Sequence, residues 1–308
     1  MAGKELYATD LGKLICGDSL AYLRGMEAGT VDLVVTSPPY ALHFKKEYGN
    51  VDQSEYVRWF LPFAAEIKRV LKPDGSFVLN IGGSWTPGAP VRSLYHFRLL
   101  LALCDELKFN LCQEFFWYNP AKMPAPAEWV NVRRIRVKDS VEYVFWLSAS
   151  EFPAADNSNV LREYSKDMER LIARGVKNTR RPSGHNITHK FATDRGGSIP
   201  PNLIECGNNE SNSDYIRLSK SRGQKVHPAR FPSELPRFFI QFLTKPGELV
   251  VDPFAGSNTT GAIAEELGRR WLSIEKDAEY AADSELRFRS SEFGQNDRTE
   301  SPQRVLFE

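Results

Sequence analysis

Residues 31–40 read Val-Asp-Leu-Val-Val-Thr-Ser-Pro-Pro-Tyr, an apolar run that ends at two prolines. An apolar run of this length is typical of a buried strand in a parallel sheet. Pro38 and Pro39 cannot donate to a strand ladder and hold φ near about −65°, so the strand must end in a stiff turn. That turn places the Ser37 hydroxyl near the Tyr40 ring, which suits a planar ring that bears an amino group. The alternative is a strand end without a chemical role.

Strands and helices are predicted to alternate on both sides of this turn. Residues 13–16 form a strand, and the helix that follows is capped by Asp18 or Ser19. Because a strand at 31–36 comes next, the two strands should be parallel members of a βαβ unit. Further strands are predicted at residues 76–80, 111–118, 141–147, 248–252 and 271–274, with a turn at 72–75 before the first of them and a helix at 277–288 after the last. The pattern predicts an α/β fold with a Rossmann-like, doubly wound and mostly parallel sheet.

Composition and charge restrict the class of protein. The 308 residues are 42% apolar, which is enough for a packed core, and they include 40 Lys and Arg against 39 Asp and Glu. The net charge of +1 excludes a uniformly basic protein, so any nucleic-acid surface must be local. The sequence shows neither a signal segment nor an apolar span of about 18 residues, so we expect a soluble cytoplasmic protein.

Cysteine and histidine patterns predict neither disulfides nor a metal site. The four cysteines are widely spaced and form no Cys-x-x-Cys pair, which is typical of reduced residues in a cytosolic protein. The five histidines have no spacing typical of metal ligands. We therefore expect a protein without a metal.

A second candidate site lies at residues 248–275. A strand leads into the small-residue loop Pro253–Gly261. A helix follows, and then a further strand that ends at Glu275. This is the layout of a nucleoside-binding crevice, in which a carboxylate accepts from the ribose hydroxyls. Gly256-Ser257-Asn258 departs from the Gly-x-Gly-x-x-Gly of dinucleotide sites. A nucleoside without a pyrophosphate, such as S-adenosylmethionine, therefore fits better.

The two candidate sites are expected to form one pocket. Loops that follow parallel strands meet at the carboxyl edge of a sheet, so the nucleoside crevice should adjoin the turn at 37–40. Asp18 also ends a strand and could accept from an adenine amino group, although a helix cap explains it equally well. The candidate cofactor-binding residues are Asp18, Asp252, Phe254, Gly256, Ser257, Asn258, Thr259 and Glu275.

A basic segment separates these two sites. Residues 148–225 are polar and lack clear periodicity, and Arg170–Arg195 contains seven Lys or Arg and one acid, a net charge of +6. Such a segment can follow the phosphates of a nucleic acid, although a solvated insertion is the ordinary explanation for a run of charge. A second basic cluster at residues 133–136 lies in a proline-containing loop between two predicted strands.

The two motifs together resemble those of the DNA amino-methyltransferases. Ser37–Tyr40 precedes Asp252–Ser257 with the basic segment between them, an order that resembles the permuted β group of that family. Serine before Pro-Pro-Tyr resembles the cytosine-N4 enzymes, although some adenine-N6 enzymes share it. Stretches within residues 14–280 are also similar to one methyltransferase of a restriction–modification system. These stretches are Lys45–Asn50, Glu128–Asn131, Ile135–Asp139, Arg181–His185, Gly196–Leu203, His227–Pro232 and Gly256–Gly261.

The resemblance implies a bacterial modification enzyme that methylates the N4 amino group of a cytosine flipped out of double-stranded DNA, with S-adenosylmethionine as methyl donor. Similarity in the basic segment implies the target 5′-CAGCTG, and a monomer can methylate each strand in turn. The implied catalytic residues are Ser37, Pro38, Pro39 and Tyr40. The implied DNA contacts are Lys45, Lys46, Arg133, Arg134, Arg136, Arg180, Arg181, Ser183 and His185.

The same resemblance assigns roles at the base. Tyr40 would stack on the flipped cytosine, with Trp117, Tyr118 or Phe44 as a second wall. Ser37 and the Pro38 carbonyl would accept from the amino group, and the methyl group would pass in a direct in-line displacement. The sequence contains no Pro-Cys dipeptide, so it does not support thiolate attack on cytosine C5.

Two positions depart from the family pattern. Asn258 stands where the cofactor loop usually has a glycine, although asparagine tolerates the left-handed conformation that such a turn needs. The strand at residues 76–80 ends in Asn80, so a carboxylate is not available there to take a proton. The proton from the amino group could instead pass to Ser37 or to water.

The predicted organisation has four segments. Residues 10–147 form the catalytic half, 148–225 an irregular target-recognition insertion, 226–290 the cofactor-binding half, and 291–308 a polar tail. An adenine-N6 DNA methyltransferase is the nearest alternative. A non-catalytic DNA-binding protein could use the basic segment but would not need the proline turn. A nicotinamide-linked oxidoreductase would need a phosphate-cradling loop that this sequence does not clearly provide.

Overall fold

The structure is a computed structural model that describes residues 3–42, 49–175, 192–208, 214–223 and 232–289. The strands in this part of the chain are β1 (Lys4–Ala8), β2 (Gly12–Cys16), β3 (Val31–Thr36), β4 (Leu71–Ile81), β5 (Asn110–Tyr118), β6 (Val141–Ser148), β7 (Leu203–Glu205), β8 (Leu249–Asp252) and β9 (Arg270–Glu275). The helices are α1 (Ser19–Gly25), α2 (Tyr56–Val70), α3 (Tyr95–Asp105), α4 (Lys166–Arg174), α5 (Asp214–Ser221), α6 (Glu234–Leu243), α7 (Thr259–Glu266), α8 (Ala278–Asp283) and α9 (Leu286–Arg289).

These strands form one sheet in the order β1-β2-β9-β8-β3-β4-β6-β5-β7. The five strands from β2 to β4 are parallel, whereas β6 runs antiparallel between β4 and β5. The edge strand β1 is antiparallel to β2, and β7 is parallel to β5. The predicted Rossmann-like, doubly wound and mostly parallel α/β fold is confirmed. The strand before the proline turn is β3, and all six of its residues are buried.

Helices cover both faces of the sheet. One apolar core packs the sheet against α1, α2 and α3, and a second packs it against α6, α7 and α8. Residues of β3 enter both cores: Val34 belongs to the first, whereas Leu33 and Val35 belong to the second. This two-sided burial explains why β3 reads as an unbroken apolar run. No helix in the described ranges is long and apolar enough to cross a membrane.

The structure differs from the expected elements in three places. Residues 72–75 were expected as a turn before a strand, but they lie within β4. They form an irregularity in its pairing with β3, because the paired residues of β4 pass from Leu71 directly to Ser76. The helix expected at 277–288 is divided into α8 and α9. The described part of 148–225 is more regular than expected, because it carries α4, α5 and the strand β7, which covers the edge of β5.

A buried carboxylate fastens three neighbouring strands of the sheet, β3, β4 and β8. Asp32 lies in β3, and its side chain is 9% exposed. One carboxylate oxygen, Oδ1, accepts from Lys72 Nζ of β4 at 2.6 Å, and Oδ2 accepts from the Leu249 backbone N–H of β8 at 2.9 Å. Because both oxygens have donors, the charge is tolerated at a nearly buried position.

Removing this carboxylate should destabilise the fold. We expect Asp32→Ala to lower the free energy of unfolding by about 1–3 kcal/mol, since it leaves the Leu249 N–H and the Lys72 ammonium without their acceptor. Urea denaturation measures this change. Glu5→Ala is the matched control, because its ion pair with Lys13 is about half exposed and should contribute no more than about 1 kcal/mol. Equal effects of the two substitutions would contradict the role of Asp32.

Candidate active site

One cavity of about 550 Å³ lies at the carboxyl edge of the sheet. Its wall contains the whole proline turn, Ser37–Tyr40, and the loop after β8 at residues 253–257 together with Thr259. Asp18, which follows β2, and Glu275, which ends β9, complete the wall on the side of this loop. The two candidate sites therefore adjoin, as the sequence predicted.

Glu275 holds the small-residue loop in place. Its Oε2 accepts from the Gly256 N–H at 2.7 Å, and its Oε1 accepts from the Asp277 N–H at 2.8 Å. Burial raises the pKa of this carboxyl above its ordinary value. Gly256 has a left-handed φ of 52°, which a glycine adopts without steric cost. A carboxylate fixed beside a close backbone approach can accept hydrogen bonds from vicinal hydroxyls of a ligand.

Asp18 caps α1 and also lies on the cavity wall. Its Oδ1 accepts from the Ala21 N–H at 2.8 Å and caps α1, and the residue also lines the cavity. The two strand ends meet because β2 pairs with β9, with Cys16 opposite Glu275. The acidic groups at 18 and 275 therefore border the same side of the cavity.

Asp252 lies behind the loop, not on the cavity wall, and is 2% exposed. Its Oδ1 accepts from Thr36 Oγ1 at 2.6 Å and from the Phe254 N–H at 3.0 Å, and its Oδ2 accepts from Thr260 Oγ1 at 2.7 Å. Burial raises the pKa of the carboxyl to about 6, although these hydrogen bonds oppose the shift. The carboxylate thus ties the end of β8 to the end of β3 and to the start of α7.

Asn258 also shapes the loop from behind. It is fully buried, adopts a left-handed φ of 55° and caps α7 by accepting from the Gly261 N–H at 3.1 Å. Its Oδ1 also accepts from Ser273 Oγ at 2.6 Å, and its Nδ2 donates to the Tyr7 hydroxyl at 2.9 Å. The asparagine therefore keeps the turn that a glycine would make, as its tolerance of left-handed geometry predicted.

The proline turn carries a compact network of hydroxyl groups. The Tyr40 hydroxyl donates to Glu142 Oε2 at 2.7 Å and accepts from Asn80 Nδ2 at 2.7 Å. Ser37 Oγ lies 3.2 Å from the Tyr40 hydroxyl and 3.2 Å from Asn80 Nδ2. Burial, followed by the Glu142 charge, raises the pKa of Tyr40 well above its ordinary value. The hydroxyl consequently stays protonated and remains a donor.

The comparisons with known proteins agree with this geometry. A family model for DNA methylases matches residues 31–286. The chain belongs to the DNA methylase family. It is 49% identical to the Type II methyltransferase M.PvuII of Proteus hauseri, over 98% of this chain and 91% of that protein. It is also 26% identical to the DNA adenine methyltransferase YhdJ of Escherichia coli (strain K12), over 89% of this chain and 81% of that protein.

Solved structures show the same fold for this DNA methylase. The PvuII DNA methyltransferase (cytosine-N4-specific) matches with a TM-score of 0.76 and 46% identity, over 93% of this chain and 89% of that chain. The Thermus thermophilus protein TTHA0409, solved in complex with S-adenosyl-L-methionine, matches with a TM-score of 0.56 and 21% identity over 89% and 92% of the two chains, a likeness of fold alone. The enzyme class predicted from the sequence, a DNA methyltransferase, is confirmed.

Among the cavity-wall residues that sequence reasoning missed, Glu142 is the one hydrogen-bonded to Tyr40 of the proline turn. Glu142 of β6 lines the cavity, and its Oε1 accepts from Lys122 Nζ at 2.8 Å. In the ladder Glu142 lies opposite Trp117 of β5, which also lines the cavity and was predicted as a wall. The acid at the start of an otherwise apolar strand was the available signal. Tyr118 is not part of the cavity wall, and Phe44 lies outside the described residues.

The three arginines of the basic cluster at 133–136 differ in exposure. Arg133 and Arg134 are exposed, and Arg133 pairs with Glu128 at 2.8 Å. Arg136 is mostly buried and pairs with Asp139 at 3.3 Å, so it fastens the loop from inside. The other predicted DNA contacts lie outside the described residues: Lys45, Lys46, Arg180, Arg181, Ser183 and His185. Within the described ranges, no group of three or more His, Cys, Asp or Glu is placed to hold a metal ion.

The raised pKa of Asp252 predicts a pH-dependent effect of Asp252→Asn. An unfolded aspartate titrates near about 4, so below that pH the carboxyl is protonated in both states and the shift has no effect on stability. Above about pH 6 the folded state carries a buried charge, which lowers the free energy of unfolding by on the order of 3 kcal/mol relative to low pH. The amide does not titrate. We therefore expect Asp252→Asn to gain stability relative to wild type between about pH 4 and about pH 7.

Urea denaturation of both proteins at the two pH values measures this gain. Asp74→Asn provides the matched control, since it makes the same chemical change at an exposed position. A difference between Asp252→Asn and wild type that stayed constant across this pH range would contradict the burial of a titrating charge at Asp252.

Proposed function

We propose that this DNA methylase transfers a methyl group from S-adenosylmethionine to the N4 amino group of a cytosine in double-stranded DNA. The observation that carries the proposal is the cavity whose wall joins Ser37–Tyr40 to the loop after β8 and Glu275. The 49% identity to M.PvuII, and the cytosine-N4 specificity named for the solved PvuII enzyme, support this choice of base.

The cofactor side of the cavity fits a nucleoside. Gly256 permits close approach of the backbone, and Glu275 offers carboxylate oxygens beside it for a ribose. Asp18 provides a further acceptor, and Phe254 an apolar wall, on the same side. When bound there, S-adenosylmethionine supplies the methyl group as an electrophilic sulfonium. We assign Asp252 and Asn258 to holding the shape of this pocket, since both lie behind it.

The base side fits a flat ring with an amino group. A stacked base hides its amino group, so the target must leave the helix to reach this cavity. Ser37 Oγ and the Pro38 carbonyl are then placed to accept from the amino hydrogens, which turns the nitrogen lone pair out of conjugation. Tyr40 and Trp117 provide aromatic walls. Catalysis by these residues is mainly a matter of positioning for an in-line transfer.

The remaining assignments follow from the same proposal. Residues 148–225 serve target recognition between the catalytic half at 10–147 and the cofactor-binding half at 226–290, and exposed Arg133 and Arg134 contact DNA phosphates. The similarity to M.PvuII supports a modification enzyme of a bacterial restriction–modification system, acting in the cytoplasm on 5′-CAGCTG. A monomer suffices for this task, because the enzyme can treat the two strands of the palindrome in turn.

Adenine-N6 methylation is the second candidate function. The 26% identity to YhdJ, a DNA adenine methyltransferase, favours it, and the cavity would also admit an adenine amino group. The two candidates share the fold, the cofactor side and the proline turn. They differ in the base that receives the methyl group, so the product decides between them.

The nucleoside product tests the proposal directly. Purified protein is incubated with methyl-labelled S-adenosylmethionine and unmethylated DNA, and the DNA is then digested to nucleosides. We expect the label in N4-methylcytosine, and only in duplexes that contain CAGCTG. Duplexes with one changed base pair in that sequence are the control. Label in N6-methyladenine would support the second candidate, and the absence of label despite cofactor binding would contradict both.

Ser37→Ala should separate chemistry from binding. The substitution removes an acceptor for the amino group but leaves the cavity and the protein surface intact. We expect the single-turnover rate to fall by about 10²-fold or more, with DNA and cofactor affinity unchanged. Ser54→Ala, at an exposed serine that precedes α2 and lies outside the cavity wall, is the matched control. Equal losses of rate and DNA affinity in Ser37→Ala would contradict the assigned role.

A further inference from the structure

The Glu142 carboxylate is held at the cavity by an ammonium group and a phenol hydroxyl. Its side chain is 15% exposed and lines the cavity on the base side. Lys122 donates to Oε1 at 2.8 Å, and the Tyr40 hydroxyl donates to Oε2 at 2.7 Å. Of the carboxylates that the described residues place on the cavity wall, Asp18 and Glu275 accept from backbone N–H groups on the cofactor side. Glu142, in contrast, contacts the hydroxyl network.

The direction of the hydrogen bonds in this network follows from the number of protons. Tyr40 has one hydroxyl proton, and it points to Glu142. In its contact with Ser37 Oγ at 3.2 Å the Tyr40 hydroxyl must therefore accept, so the Ser37 proton points to Tyr40. Asn80 Nδ2 donates to both oxygens. The result is a directed path of O–H groups from Ser37 through Tyr40 to Glu142.

The reaction needs an exit for one proton. An amino nitrogen that gains a methyl group carries an extra proton and a positive charge until that proton leaves. Asn80, at the end of β4, is an amide and cannot take it. Ser37 already holds its own proton, so it can accept a second one only by passing the first along the path. The carboxylate at the end of the path can accept a proton and hold it.

We propose that Glu142 is the terminal acceptor of the amino proton, reached through the hydroxyls of Ser37 and Tyr40; this rests on the proposed function. As the bond from the amino nitrogen to the methyl group forms, the sulfur–methyl bond breaks and its electron pair stays on sulfur. The amino proton moves to Ser37 Oγ, the Ser37 proton to Tyr40 and the Tyr40 proton to Glu142 Oε2. Glu142 then releases it to solvent through the cavity.

The groups around Glu142 suit this task. Lys122 balances the negative charge before the reaction, and it contacts the oxygen that is not on the path. Among the described residues, Tyr95 of α3 also interacts electrostatically with Glu142 and Tyr40. Burial raises the pKa of Tyr95 strongly, so it stays neutral in the working range. In this scheme Glu142 touches neither base nor cofactor, and it acts only through Tyr40.

Glu142→Gln tests the proposal, because the amide keeps the size of the side chain but cannot take a proton. The methyl transfer rate is measured in a single turnover, with enzyme in excess over a CAGCTG duplex, as a function of pH. For wild type we expect a rate that rises with pH and then levels off. For Glu142→Gln we expect a rate about 10²-fold lower and without the rising limb. Glu114→Gln, exposed on β5, is the matched control and should behave as wild type.

Tyr40→Phe provides an independent test, since it interrupts the path but keeps the aromatic ring. It should show the same loss of the rising limb, and the double substitution should cost no more than either single one, because both break one path. Calorimetry should show unchanged S-adenosylmethionine affinity in every variant. A Glu142→Gln protein that retained the wild-type pH profile, at whatever rate, would overturn the relay and leave Glu142 a structural role.

The nucleoside product separates failure of this inference from failure of the proposed function. Wild-type protein that forms no N4-methylcytosine would overturn both. Wild-type protein that forms it, together with a Glu142→Gln protein of unchanged rate or unchanged pH profile, would overturn the relay alone. Fully additive losses in the Tyr40→Phe, Glu142→Gln double variant would have the same consequence.

Discussion

The hydrogen bond between Thr36 Oγ1 and Asp252 Oδ1, 2.6 Å long, joins residues 216 positions apart and makes the site possible. It fastens the ends of β3 and β8, the two strands whose following loops provide the proline turn and the cofactor loop. A buried carboxylate is costly unless donors surround it, and here two threonine hydroxyls and a backbone N–H do so. The constraint fixes where one half of the cavity lies relative to the other.

The carboxylates on the two sides of the cavity are held by different kinds of donor. Carboxylates on the cofactor side accept from backbone N–H groups, which tie each carboxylate to the backbone beside it. The carboxylate on the base side is held by side chains: the Lys122 ammonium donates to one oxygen and the Tyr40 hydroxyl to the other. The same functional group therefore shapes a pocket on one side and suits proton transfer on the other.

The sequence motif identified the loop after β8, but it did not show which side chains of that region point into the cavity. Asp252 and Asn258 were both predicted to bind cofactor, and both lie behind the loop, where they shape it. The reason is local geometry: Asp252 is the last residue of a strand buried on both faces, and Asn258 turns its side chain back to cap α7. The cavity wall, in contrast, contains Phe254, Gly256, Ser257, Thr259 and Glu275.

The sequence by itself determined the parallel sheet, the two loops at its edge and the family, because apolar runs, prolines and small-residue turns are local and specific signals. Only the tertiary structure placed Glu142 beside Tyr40, 102 positions away in sequence. That contact depends on the antiparallel strand β6 lying beside β4, with Asn80 paired to Val144 and Ile81 to Tyr143. Ladder register fixes such neighbours through hydrogen bonds between distant segments, and no local pattern in either segment encodes it.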